Sequence, residues 1–360
     1  MNCEQRIEAI FRGEMVDRVP FVLKGFRVPF CRAERQLRNG GMGVIESCPV
    51  YTTTSPNVQI ETIHYREHSA ACQRTVIKTP AGELTSVSQE VGTEKTERSI
   101  WLIEPPFKGP DDYKALMFMV KDQRYAPAYE SFQKARSQMD GDAFFKTVAP
   151  GVPLHDITYR FMGLETFSIE WAERQDEVLA LHEAMVENQR EIYRIVAESP
   201  VLAVTCGGNY SSEVLGKEYL IEYVLPHWEE VGSVLHENGK LLGCHLDANN
   251  KLWAQEIGAS ALDWIEAFTP APDTDMTLAD ARVAWAGKTL FINFPSSLHL
   301  EPPDVIADTT RQLLKQAAPG DRFIMGITEN VPDDRWRESF AAILETCNEF
   351  GRLPIDPSRW

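Results

Sequence analysis

Short apolar runs alternate along the chain with longer segments whose apolar residues recur at helical spacing. Phe21–Leu23, Phe144–Val148, Val201–Thr205, Leu241–Cys244, Ala261–Ala267, Leu290–Phe294 and Phe323–Ile327 read as buried strands. Between and after them, Thr166–Glu198, Tyr219–Asn238, Leu252–Ile257, Leu278–Ala286, Asp304–Ala317 and Trp336–Phe350 read as helices, and Glu4–Gly13 as a short amphipathic helix ahead of the first strand. Arg27–Arg38 reads as loop plus helix, and Asp111–Val120 as a further helix. Six or seven strand–helix repeats with short loops require parallel strands and right-handed crossovers. Neither GxGxxG nor GxxxxGK[ST] occurs, which favours a closed (β/α)8 TIM-type barrel in the α/β class over an open nucleotide-binding sheet. One stretch breaks the rhythm. Val58–His64 and Arg74–Val91 are rich in Val, Ile, Thr and Ser, and the turn Thr79–Glu83 lies between two such segments, so a β-hairpin excursion over 58–104 is expected within a single domain spanning 1–360.

The strand ends carry the candidate chemistry, because barrels of this kind place their active sites at the C-terminal ends of the strands. Those ends collect Lys24, Cys206, Asn209, His245, Asp247, Glu266, Asn293 and Glu329. In KLLGCHLDANN, His245 and Asp247 stand two residues apart and share a face, while Cys244 points away. Such a pair can ligate a divalent metal or exchange protons. Glu266 lies inside an apolar run and needs a partner if buried. Tyr159 and Arg160 suit an anionic substrate group or a helix cap, and Arg27, Arg32 and Arg35 suit a solvated helix face. His155 and His299 lie in loops near proline and are expected in solvent.

With 360 residues and 43% hydrophobic residues, a large core is available, and the net charge of −17 argues against a nucleic-acid or anionic-membrane surface, either of which needs a clustered basic patch. Seven scattered cysteines without a CxxC fit free thiols in a reducing cytoplasm. No apolar leader or span is visible.

Two terminal stretches resemble a known family. RIEAIFRGEMVDRVP is similar to the opening of the uroporphyrinogen decarboxylase superfamily, and ITENVPDDRWRESFAAILETCNEFGRLPI to its last strand and helix. The resemblance implies a (β/α)8 barrel and either porphyrinogen decarboxylation or methyl transfer to a corrinoid. The decarboxylases carry R-x-x-x-R-Y near the N-terminus, from which Arg27-Val28-Pro29-Phe30-Cys31-Arg32 departs. The zinc-dependent methyltransferases carry His-x-Cys after one strand and a third Cys after the last. His245-Leu246-Asp247 and Glu329 stand at those places here, making a harder donor set. The resemblance therefore implies zinc on His245, Asp247 and Glu329, with Glu266 and Asp247 as catalytic groups. It also implies a substrate held by Cys206, Asn209, Asn293, Tyr159 and Arg160, and a cobalamin carried by a separate corrinoid protein. The expected activity is methyl transfer between that partner and a small O-methyl, N-methyl or methyl-pterin compound in the cytoplasm, by a chain that can form a homodimer. Decarboxylation or another lyase reaction on a different carboxylic acid is the rival.

Overall fold

The computed structural model describes residues 1–91 and 99–360. These fall into two compact units. One comprises Met1–Val50, Tyr129–Ala149 and Ala197–Trp360; the other comprises Tyr51–Ala128 and Pro150–Val196. In chain order the strands are β1 (Phe21–Lys24), β2 (Gly43–Ser47), β3 (Tyr51–Thr54), β4 (Gln59–Glu67), β5 (Ala70–Thr79), β6 (Gly82–Val91), β7 (Ser99–Glu104) and β8 (Arg124–Pro127). They continue with β9 (Phe144–Ala149), β10 (Ala203–Cys206), β11 (Leu241–His245), β12 (Trp264–Phe268), β13 (Thr289–Ile292) and β14 (Phe323–Ile327).

The first unit is a closed barrel in the order β1-β14-β13-β12-β11-β10-β9-β2, with every pairing parallel. This is the (β/α)8 architecture that the alternation demands. β2 is the strand that the hydrophobic pattern does not announce. Its apolar signal is only Val44 and Ile45, followed at once by Glu46 and Ser47. Closure depends on it all the same, since it bridges β1 and β9.

Both terminal signatures lock the barrel floor. The helix Cys3–Phe11 starts with a capping box, in which Asn2 Oδ1 accepts from Gln5 N at 2.8 Å and Gln5 Oε1 accepts from Asn2 N at 3.2 Å. Asp17 of Asp-Arg-Val-Pro accepts two bonds from Arg6, at 2.6 and 2.8 Å, and that pairing lowers its pKa to about 2. Arg18 donates to Asn348 at 2.8 Å, and Val19 N to Gly351 O at 2.8 Å, so the chain's two ends are stitched together. Helix residues Ile7, Ile10 and Phe11 then plug the barrel beneath Val22, Ile45, Phe144, Ala203, Trp264, Phe291 and Ile324. Phe11 stacks on Phe144 and meets Trp264 edge-on, with centroids 5.2 and 5.0 Å apart. Two glycines make room for the large rings. A Cβ on Gly243 would lie 2.2 Å from the Trp264 indole, and one on Gly326 2.1 Å from the Phe291 ring.

The second unit holds an antiparallel sheet, β4-β5-β6-β7, and a two-stranded pair, β3-β8. β5 and β6 form the expected hairpin, its turn braced by Thr79 Oγ1, which donates to Gly82 O at 2.9 Å and accepts from Ala81 N at 3.1 Å.

Candidate active site

Strand parity places the polar layer. In a strand, residues two apart share a face. The apolar floor residues Val22, Phe144, Ala203, Trp264 and Phe291, and Gly243, where a Cβ would meet the Trp264 ring, are followed two positions later by Lys24, Lys146, Thr205, Glu266, Asn293 and His245 respectively. A ring of polar side chains therefore sits directly above the floor, toward the C-terminal ends of the strands.

Glu266 is the hub of this ring. It is 1% exposed, and its carboxylate meets three basic groups. Lys24 Nζ lies 2.7 Å and His245 Nδ1 3.0 Å from Oε2, and Lys146 Nζ lies 3.1 Å from Oε1. Lys146 gives its best-aligned proton to Thr205 Oγ1 at 2.7 Å, so its contact with Glu266 is an ion pair out of line for a hydrogen bond. The Lys146 ammonium also lies 5.7 Å from the Trp264 ring centroid. Lys24 Nζ approaches His245 Nδ1 to 3.1 Å, both sharing the same carboxylate oxygen. On its other side, His245 Nε2 lies 3.3 Å from Asp247 Oδ2.

The charges follow from these contacts. Burial disfavours an ionised Glu266, yet Lys146, the hydrogen bond from His245 and Lys24 together hold its carboxyl well below the usual range. Burial also disfavours a charged His245, but the bonds to Asp247 and Glu266 outweigh it and raise its pKa, while Lys24 opposes. Asp247 is lowered, burial notwithstanding, by its bond to His245. Burial lowers Lys146, against the pull of Glu266 and with the help of Lys24. The site is thus an imidazole clamped between two carboxylates, which favour its protonated form, beside two lysine side chains.

The backbone is irregular at the hub. The β12–β13 register shifts between Glu266 and Phe268, and Ala267 adopts φ 65. A left-handed conformation for a residue with a Cβ costs on the order of 1 kcal/mol and needs enforcement by its surroundings.

Of the residues expected from sequence, Lys24, His245, Asp247 and Glu266 come together. Glu329 does not join them. It accepts from Ser296 Oγ at 2.5 Å, on the β13 side of the mouth. Among the described residues no group of three or more His, Cys, Asp or Glu side chains could hold a metal ion. The set His245, Asp247 and Glu329 therefore does not fit zinc, and a cation on His245 Nδ1 would also face the Lys24 ammonium. Asn293 is buried and structural, accepting from Thr328 N at 2.8 Å and donating to Ser296 Oγ at 3.2 Å. Cys206 stands an odd number of residues from Ala203, pairs in register with Cys244, and is fully buried on the outer face of β10, so it does not line the mouth. Asn209 is exposed in the loop after β10. Tyr159 and Arg160 belong to the second unit, where Arg160 is paired with Asp156 at 3.6 Å.

His299 and His155 are buried, against the expectation of solvent. His299 packs between Phe294 and Phe340 and bonds Ser339 Oγ at 2.5 Å. The residue that sequence reasoning missed is Lys146. Its signal was present: a lysine two positions after an inward Phe in a strand must point inward too, and a buried ammonium needs an anion.

The sequence matches the family described as uroporphyrinogen decarboxylase over residues 2–350. No curated protein sequence matches it. Among solved structures, a methyltransferase from Methanosarcina mazei superposes with a TM-score of 0.60 at 11% identity, covering 97% of this chain and 99% of that one. That likeness shows a common fold. A nitroalkane oxidase from Streptomyces ansochromogenes (11% identity, 56% of this chain and 53% of that one, TM-score 0.29) and a pneumococcal virulence factor (8%, 97% and 88%, 0.38) are too distant to carry an argument.

Proposed function

The chain belongs to the uroporphyrinogen decarboxylase family, and we propose that it is a methyltransferase in which His245 is the proton donor. The reaction moves a methyl group between a small O-methyl, N-methyl or methyl-pterin substrate and a separate corrinoid protein. The similarity to a Methanosarcina methyltransferase over nearly the full chain is in keeping with this reading. The observation that carries it is the double clamp on His245. When docked, the partner's corrinoid takes up or delivers the methyl group. This chain's part is to manage charge on the substrate heteroatom, which leaves with its bonding electrons and needs a proton. Glu266 fixes the imidazolium through Nδ1 at 3.0 Å. The Nε2 contact to Asp247 is longer, 3.3 Å, and Asp247 is partly exposed, so a substrate heteroatom can take that proton in its place. Asp247 then stands beside the neutral ring as the counter-group through which it is reprotonated. Lys24, 23% exposed at the side chain, adds positive charge at the same spot.

A decarboxylase or lyase acting on another carboxylic acid is the second reading, favoured by one feature: among the described residues three basic side chains lie within ion-pair distance of two carboxylates, with Glu46 acting on Lys146 from farther off. In that reaction His245 protonates the carbanion left by the departing carbon dioxide.

The test is to mix the protein with cob(I)alamin or methylcobalamin and a panel of methylated compounds and follow cobalt absorbance. Methyl transfer that falls at least about 100-fold in His245→Gln supports the first reading. Because the His245 pKa is raised, transfer is full below it and declines as pH rises through it. Carbon dioxide release from a carboxylic acid, without methyl transfer, supports the second. Full methyl transfer by His245→Gln refutes the assignment of the donor.

A further inference from the structure

The second unit holds a cleft of about 710 Å³ that shares no residue with the site around Glu266. Three parts wall it: the helix Tyr113–Asp122, the start of the helix Gln175–Glu198, and the turns at Asn57 and Ala81. Its size falls within the ~300–1,000 Å³ of small-molecule sites. Lys114, Met117, Phe118 and Lys121 stand three, four and seven positions along one helix, so they share a face, and that face lines the cleft. Met117 and Phe118 make its middle apolar, with a lysine a turn to either side. The Tyr113 ring adjoins them and is fixed at both ends. Its hydroxyl donates to Glu170 Oε2 at 3.0 Å, and Arg174 bonds the same carboxylate at 2.8 and 2.9 Å. The ring itself meets Phe107 edge-on, with centroids 4.8 Å apart.

We propose that this cleft binds a small aromatic carboxylate, its ring against Met117, Phe118 and Tyr113 and its anionic group at Lys121. The lining carries Lys114, Lys121 and Arg124 against Asp122 and Glu177, a positive balance in a chain of net charge −17. Asp122 is already engaged, accepting from Asn57 N and Asn57 Nδ2 at 2.8 Å each. Arg124 caps the helix, giving Nη1 to Lys121 O and Gln123 O at 2.8 Å. Among the described residues neither Lys114 nor Lys121 has an ion-pair partner, and both are exposed at the rim. Glu177 acts on Tyr113, the neighbour of Lys114, so the Lys121 end is the one left positive. A single net charge suits a monoanion. The lining selects the body: an aromatic ring gains from a phenyl face, a phenol face and a thioether together.

The experiment is isothermal titration calorimetry of the full chain with 2-naphthoate, beside 2-naphthamide as its uncharged counterpart and decanoate as an alkyl one. The expected result is 2-naphthoate binding with Kd below about 1 mM, and both other compounds at least about 10-fold weaker. Lys121→Gln should weaken 2-naphthoate about 10-fold and Lys114→Gln less than about threefold. Ala180→Phe, which puts a ring into the cleft from its exposed wall, should abolish binding. His245→Gln, in the other site, should leave it unchanged. Far-UV circular dichroism and Tm of the three cleft variants should match the parent, because the altered side chains are exposed. The proposal is overturned if the parent does not bind 2-naphthoate, or if the amide or decanoate binds as tightly. It is equally overturned if affinity survives Lys121→Gln or Ala180→Phe, falls more in Lys114→Gln than in Lys121→Gln, or is lost in His245→Gln.

Discussion

Glu266→Gln tests the electrostatic core of the site. The substitution keeps the side chain's shape and removes the one carboxylate within ion-pair distance of Lys146 among the described residues, leaving it only the more distant Glu46. Lys146 is 0% exposed, so no solvent can replace the lost partner, whereas Lys24 can turn to water. Removing one partner of a buried pair costs about 3–5 kcal/mol, because a charge is stranded. Lys146→Met is milder: Glu266 keeps Lys24 and His245, and the apolar stem still packs on Trp264, so the cost is about 1–2 kcal/mol. In the double variant the stranded ammonium is gone. Its loss should fall short of the sum of the single losses by at least about 2 kcal/mol. Urea unfolding followed by near- and far-UV circular dichroism gives the midpoints and slopes needed. If Glu266→Gln costs less than about 1 kcal/mol, or if the two effects add within about 0.5 kcal/mol, Lys146 is not held by Glu266 as described.

Two further outcomes are expected. Burial lowers the His299 pKa to about 4, from about 6.5 in an unfolded chain, so its neutral form stabilises the fold above pH ~6.5 and that contribution is lost as pH falls toward 4. His299→Phe should reduce the acid-side slope of stability by about one proton, roughly 1.4 kcal/mol per pH unit, and an unchanged slope would place the titration elsewhere. Gly243→Ala puts a methyl within 2.4 Å of three atoms of the buried Trp264 indole. It should cost about 2–3 kcal/mol by overpacking, read as a lower midpoint, and a neutral result would mean that the barrel floor is not close-packed there.

Seven of the eight barrel strands are legible as apolar runs because a strand covered on both faces is apolar throughout. β2 is not, since Glu46 and Ser47 halve an already short signal. Strand ends pointed to Lys24, His245, Asp247 and Glu266, and those four do converge. Cys206 and Glu329, also taken from strand ends, lie apart from those four: Cys206 is out of phase with Ala203, and Glu329 stands past the end of β14. A strand's end tells which residues are near the mouth, and only parity counted from a floor residue tells which point into it. Counting from Ala203 excludes Cys206, and counting from Phe144 admits Lys146. The burial of His299 lay beyond either rule, because it rests on helix residues Ser339 and Phe340 meeting a loop some 40 positions earlier in the chain.

The ring of polar side chains is shared among strands made at very different times. Lys146, Thr205, His245 and Glu266 sit on four consecutive neighbours, β9 to β12, so their cluster can form while the barrel is still an open sheet. Lys24 is synthesised long before them and β1 can join β9 through β2, but Lys24 meets Glu266 across the barrel, and the sheet shuts only when β14, the last of its strands, pairs with both β1 and β13. The Lys24 ammonium therefore arrives last, when the circle shuts. Until then Glu266 holds Lys146 and His245 alone, and the site reports on whether the barrel has closed: a chain halted before β14 has the proton donor and its clamp but not its full charge.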